Sequence, residues 1–279
     1  MKKFEQRRKA QRGGFTLIEM TVVLMVLAIV AGLAVPIVGW LRRSANYASQ
    51  ANAQAAVASN LEFYRTTYGN NNYPSHMDSL LFNSDTTAEI TYVDGGLGNL
   101  IVPGVVSGDY ADCLSKWLEC VLDHDDSAFA GLQGSPGNSA FYDRELDAEY
   151  TADAVNLAVL DIGADGQTPT KEAGLLLDEL YGDRTEWLAE NGSTSPTTGG
   201  IVHVILGIGP RNDAVGRTLQ SAPTDSRVDP SSQYGRFCAV FATYNPRAGQ
   251  RAQLKAVVNG KGRTANNALS EFWQSTNPE

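Results

Sequence analysis

Histidine and cysteine are scarce in this chain, three of each among 279 residues. His76, His124 and His203 lie far apart, and no His-Glu-x-x-His spacing puts two of them on one helix face to hold zinc. No Gly-x-Ser-x-Gly elbow occurs, and Gly207-Ile208-Gly209-Pro210 lacks the third glycine of a dinucleotide loop. The signatures of sequence-legible enzymes are absent, so a protein without catalytic activity is expected. His124-Asp125-Asp126 reads as a solvated loop in preference to a metal site. No internal repeat is visible.

Charge is also missing over one long stretch. Between Glu19 and Arg42 there is no Asp, Glu, Lys or Arg, which leaves Met20 to Leu41 as an uncharged run of 22 residues. A helix needs about 20 such residues to cross a bilayer core. Six bases, Lys2, Lys3, Arg7, Arg8, Lys9 and Arg12, precede the run, and Arg42 and Arg43 follow it. The excess of cations on the N-terminal side predicts a cytoplasmic Met1 and an extracytoplasmic remainder. A secretory signal has a basic start as well, with Gly32-Leu33-Ala34 as its cleavage site, but its apolar core is about 7–15 residues, shorter than this one. A plain single-pass anchor fits the length yet offers no reason for the carboxylate of Glu19 at its mouth, since charges near the bilayer core usually have partners.

Gly13-Gly14-Phe15-Thr16-Leu17-Ile18-Glu19-Met20 and the apolar run behind it resemble the type IV pilin and type II secretion pseudopilin superfamily. Gly14 matches the family's residue before the cut, Phe15 its new N-terminus and Glu19 its fifth mature position. Pro36 falls where many members carry a helix-kinking proline. The resemblance implies a leader of residues 1–14 cut off between Gly14 and Phe15 by a prepilin peptidase that also methylates the Phe15 amine. It further implies homologous subunits and an inner-membrane assembly platform as partners, an inner-membrane location before assembly, and a filament or pseudopilus after it. The physics agrees. Residues i and i+4 share a helix face, so the Glu19 carboxylate of one subunit can meet the Phe15 ammonium of a neighbour and set register. The reading adopted is a prepilin-type structural subunit of a type II secretion pseudopilus or type IV pilus. The alternatives are a minor, tip or initiating subunit, and a membrane-anchored extracytoplasmic binding protein or enzyme.

The rest of the chain is read in order. Residues 15–41 are expected to be a transmembrane helix, kinked or loosened at Pro36. Residues 42–68 continue it as an amphipathic spine, with Ala53, Val57, Leu61, Tyr64 and Tyr68 at spacings of three and four. Residues 69–279 form an extracytoplasmic domain. Strands are expected at Glu89–Val93, Leu100–Val106, Val155–Val159, Ile201–Ile208, Arg236–Tyr244 and Gln253–Val258. Helices are expected at Tyr110–Leu122 (capped by Asp109), Glu172–Tyr181 and Asn266–Trp273. Ser135-Pro136-Gly137-Asn138 reads as a turn and Asn191–Gly200 as a loop. This pattern predicts an α+β, pilin-like fold, a long N-terminal helix packed on a mainly antiparallel sheet.

Net charge is −9, and removal of the leader's six bases and one acid makes it −14. Asp78 to Glu190 holds 23 acids against four bases, whereas residues 200–263 hold three against nine. Nucleic acid is not the expected partner of so acidic a chain; solubility outside the cell is the simpler account. A helix over Tyr110–Leu122 would hold Cys113 and Cys120 about 10 Å apart, too far for a bridge. Cys238 then pairs with one of them, or all three stay thiols. Asp161, Asp165 and Glu172 fall at calcium-loop positions one, five and twelve. Gly163 at position three and Pro169 at nine spoil that loop, so an Asp-Gly turn is favoured and neither metal nor other cofactor is expected.

Overall fold

The computed structural model describes residues 16–82, 97–105, 113–114, 120–124, 146–151, 156–163, 168–191, 200–225, 234–244 and 251–276. The chain divides into two compact units, Met1–Asn46 and Tyr47–Glu279. Helix α1, Leu17–Thr67, passes from the first into the second.

In the first unit α1 is apolar and bare. Leu17, Ile18, Met25, Leu24 and Val38 are all more than half exposed, and so are most of their apolar neighbours on every side of the helix. In the second unit the helix becomes amphipathic, as its sequence period requires. Val57, Leu61 and Tyr64 are buried, while Ala55, Ala56 and Phe63 face out. The stripe expected to continue to Tyr68 stops at Tyr64, because the helix ends at Thr67 and leaves Tyr68 exposed. Asn70 and Asn71 follow with positive φ, 48° and 71°, and the Asn71 amide donates to the Arg65 carbonyl. Asparagine tolerates that left-handed geometry, which turns the chain away from the helix axis.

Among the described residues eight strands form one sheet: β1 Met77–Phe82, β2 Ile101–Val105, β3 Cys120–His124, β4 Leu146–Thr151, β5 Asn156–Leu160, β6 Ile201–Gly207, β7 Cys238–Tyr244 and β8 Gln253–Val258. The pairings β2–β5, β5–β6, β6–β7, β7–β8, β1–β6 and β3–β4 are antiparallel, and only β1–β3 is parallel. Strand β6 is the hub. It pairs with β7 along its whole length, and also with β5 at Val204 and with β1 at Gly207.

Alternation along β6 and β7 sends side chains to two cores. Val204, Leu206, Ala239, Phe241 and Val257 join Val57, Leu61 and Tyr64 of α1. Ile205, Cys238, Val240 and Val258 join Leu176 and Leu177 of α2 (Lys171–Tyr181) and Trp187 and Leu188 of α3 (Arg184–Asn191). Being covered on both faces explains why Ile201–Gly207 reads as a nearly unbroken apolar run. Helix α4, Ala265–Thr276, closes the described chain. The architecture is thus α+β, a helix on a mostly antiparallel sheet, with α2, expected from the sequence, and α3, which was not, covering a second core.

Two expectations fail here. The helix expected to reach Leu122 does not: Cys113 and Leu114 are helical, but Cys120–His124 is strand β3, paired with β1 and β4. Pairing on both edges outweighs the weak helical period of that segment. The helix-rise argument against a Cys113–Cys120 bridge falls with it. Cys113 and Cys238 are both buried. His124, expected in a loop, ends β3. Asp109, Asp125, Asp126, the strand at Glu89–Val93, the turn at Ser135–Asn138 and the loop over 192–199 lie outside the described residues.

Candidate functional site

The first four described residues build a closed cap. Thr16 stands just before the helix, and its carbonyl accepts the first helical hydrogen bond, from the Met20 amide, at 3.2 Å. Its hydroxyl oxygen accepts from the Glu19 amide at 3.4 Å. In return Glu19 Oε2 accepts from the Thr16 amide at 2.8 Å and from the Thr16 hydroxyl at 3.0 Å. Thr-x-x-Glu is a capping box: it satisfies amides that a helix start leaves without partners and puts a negative charge at the positive end of the helix dipole. Glu19 therefore has a local partner. The argument that a simple anchor gives this carboxylate no role is corrected: its presence alone does not separate an anchor from an assembling subunit. Thr16 is the residue that sequence reasoning missed, although the four-residue spacing was in plain view.

Gly14 and Phe15 lie outside the described residues, as do the side chains of 33–37 and with them Pro36. Among the described residues no helix is long and apolar enough to cross a membrane; the expected span Met20–Leu41 contains 33–37.

The other sequence-flagged residues are scattered. Asp161 follows β5, and its Oδ1 accepts from the Gly163 amide at 3.0 Å, an Asp-x-Gly turn closing a strand. Thr170 caps α2, which carries Glu172 in its first turn, and the Thr170 amide donates to the Asp161 carbonyl. Asp165 is outside the described residues. Among the described residues no three metal-ligating side chains converge. His76 pairs with Asp213 at 3.1 Å. His203 is buried on β6, with Tyr181 Oη 2.8 Å from its Nε2. Burial first, and the nearby Lys255 charge second, push His203 down to about 3, so it is neutral at ordinary pH. Asp78 on β1 accepts from the Tyr234 hydroxyl at 2.7 Å through Oδ2, while its buried Oδ1 has no hydrogen-bond partner among the described residues. Burial raises its pKa to about 6, against the opposing pull of Tyr234, Arg236 and Arg211.

A bare apolar helix headed by a capped carboxylate suits a membrane anchor and an assembling subunit alike. Residues 9–35 match the family described as the prokaryotic N-terminal methylation motif, which is the prepilin-type N-terminus of type IV pilins and pseudopilins. No curated protein and no solved structure matches the chain. The motif implies membrane anchoring before assembly, processing by a prepilin peptidase and assembly with other pilin subunits, the work of a structural subunit.

Proposed function

We propose that the chain is cut between Gly14 and Phe15, methylated at Phe15 and held across the inner membrane by residues 15–41 until it joins a type IV pilus or type II secretion pseudopilus. In this reading residues 42–68 are the spine of an extracytoplasmic domain, residues 69–279, and no catalysis is involved. The observation that carries it is the exposure of α1: among the described residues, the large apolar side chains from Leu17 to Val30 and those of Val38 and Leu41 are exposed on all sides of the helix. Such a helix has to be buried in lipid or among other copies. Local bonding occupies Glu19 Oε2, and Oε1 remains for a donor from outside, the Phe15 ammonium of a neighbour.

Mass spectrometry of the processed protein tests the first step. A mature chain starting at methylated Phe15 is expected; an intact Met1 in the assembled form, or a start at Val35, overturns the reading. The assembly step needs two substitutions, because Glu19 also caps the helix. Glu19→Gln keeps an oxygen for the Thr16 cap but loses the charge, whereas Thr16→Val loses the cap and keeps the charge. Glu19→Gln is expected to insert and be cleaved yet give few filaments. Normal filament yield from Glu19→Gln would refute the ion pair and leave Glu19 as a helix cap only.

A further inference from the structure

The turn that ends α1 borders a recess of about 510 Å³ within the second unit. Clefts that hold small ligands run from about 300 to 1,000 Å³, so this one has room for a side chain or a small molecule. The end of α1 and the chain entering β8 line it, and its cations are Arg65 and Arg251. Asn71, held at φ 71°, joins the two: Arg65 Nη1 donates to its Oδ1 and Arg251 Nη1 to its carbonyl, each at 3.2 Å. Arg251 also donates to the Asn72 side chain, and the Arg65 guanidinium lies 5.6 Å from the centre of the Tyr73 ring. Two guanidiniums far apart in sequence thus hang from one turn.

Like charges held close together cost free energy unless a negative group lies between them. Glu62 is the acid among the lining residues, and it is already engaged: its Oε2 accepts from Arg65 Nε at 2.7 Å and its Oε1 from the Tyr73 hydroxyl. Two arginines against one glutamate leave the lining with one net positive charge. A guanidinium carries five N–H donors, and Arg65 Nη2 and the Nε and Nη2 of Arg251 have no partner among the described residues. The Arg65 side chain is 34% exposed and Arg251 more so, which leaves both open to a ligand.

We propose that this recess is a carboxylate-binding site, in which Arg65 and Arg251 share one carboxylate of a ligand. A planar carboxylate accepts paired N–H bonds from guanidinium forks. Its single charge matches the unbalanced charge of the lining, whereas a phosphate, with about −1.5 to −2, would be repelled more strongly by Glu62. Two sources present that group: a free dicarboxylic acid, and an acidic side chain of another polypeptide. A second copy is rich in the latter, with 23 acids from Asp78 to Glu190. The site lies wholly in the second unit and does not depend on the membrane reading.

Titration calorimetry of the full chain in non-ionic detergent at low salt tests this, with glutarate, acetylated tetraglutamate amide and inorganic phosphate as probes. A carboxylate probe is expected to bind, and phosphate to bind severalfold more weakly. Arg251→Gln should weaken binding about tenfold or more, the size of one lost charge-assisted pair. Arg251→Lys keeps the charge but not the fork, and should recover only part of that loss. Lys261→Gln makes the same change of charge at an exposed residue outside the lining, and should alter affinity by no more than about twofold. Arg251 is exposed, so its variants are expected to fold, which circular dichroism checks. Glutarate bound as tightly as the peptide upholds the site with a free acid as its ligand; binding of the peptide alone upholds it with a protein source. Binding of neither carboxylate, phosphate bound as tightly, or an equal loss in Lys261→Gln overturns the proposal.

Discussion

At the scale of single residues, Thr16 and Asp78 show two ways in which a polar group is committed. Thr16 and Glu19 cap each other at the helix start, where an amide without a partner would fray the first turn. Thr16→Val should speed amide hydrogen exchange at Leu17 to Glu19 about fivefold, the size of one lost helix cap, and leave exchange in β6 and β7 unchanged. Asp78 is held differently. A methyl group added to Gly209 would overlap its carboxylate, and one added to Gly207 would overlap the Tyr234 hydroxyl. Those glycines are there for close approach, not for turning. Gly209→Ala is expected to destabilise the fold by about 1–3 kcal/mol, the usual cost of overpacking. Thermal melts of Gly209→Ala, Asp78→Ala and the double variant check this. The double variant should recover part of the loss, and strict additivity would show that the two groups do not meet.

At the scale of elements, two buried ionisable groups on neighbouring strands pull stability in opposite directions with pH. Asp78 has its pKa raised from 3.8 to about 6, so the folded state holds its proton more tightly than the unfolded state. Its stabilising share is complete below about pH 4 and is lost as pH rises through 6, on the order of 3 kcal/mol in all. His203 is lowered from 6.5 to about 3, so its share is complete above pH 6.5 and is lost as pH falls toward 3, on the order of 5 kcal/mol. Between pH 6 and 4 the two partly cancel. Denaturant melts should therefore show a shallow acid slope in the natural chain. Asp78→Asn should be steeper, because the His203 loss is then unopposed; an unchanged slope would mean that Asp78 titrates as an ordinary carboxylate.

The same strands show what could be read in advance. β6 and β7 were legible because both faces are buried and their residues are dense in Val, Ile, Ala and Phe, and β8 was legible from its apolar end before the turn at Asn259-Gly260. Helix α2 was legible from its spacing, whereas its Thr170 cap was not read. β1 was not, because Asp78 and Ser79 are buried in it and break the apolar alternation. β3 was misread as a helix, since its strand character comes from β1 and β4 beside it and not from its own composition. α3 is short and polar, held to the core mainly by Trp187 and Leu188. At the start of α1, Glu19 was singled out from the sequence, and its capping partner Thr16 was overlooked in favour of a partner in another subunit.

At the scale of the whole molecule, the second unit has two cores of its own and its polar spine residues are tied down. Gln50 donates to Asp225, and Gln54 donates to the Arg263 carbonyl at 2.8 Å. A fragment starting at Ser44 is expected to be a folded monomer by sedimentation, with association lost along with the apolar helix. Calcium offers a further check on this fragment. Asp161 already accepts from its own turn and the approach is strand β5, so millimolar calcium is expected to leave the melting temperature unchanged; a rise abolished by Asp161→Ala would show a site there.

The way α1 lies on the sheet has a mechanical consequence. From Gln50 to Tyr64 the helix contributes buried side chains over 15 residues, about 21 Å of its length. A tension applied along α1, as in a fibre under load, would drag this contact sideways, so that Gln50, Gln54, Val57, Leu61 and Tyr64 must all let go nearly together. A pull across the sheet would instead open β1 from β6, which meet at the single registered pair Asp78 and Gly207. The fold is stiff along the direction in which a polymer built through α1 is stretched and soft across it.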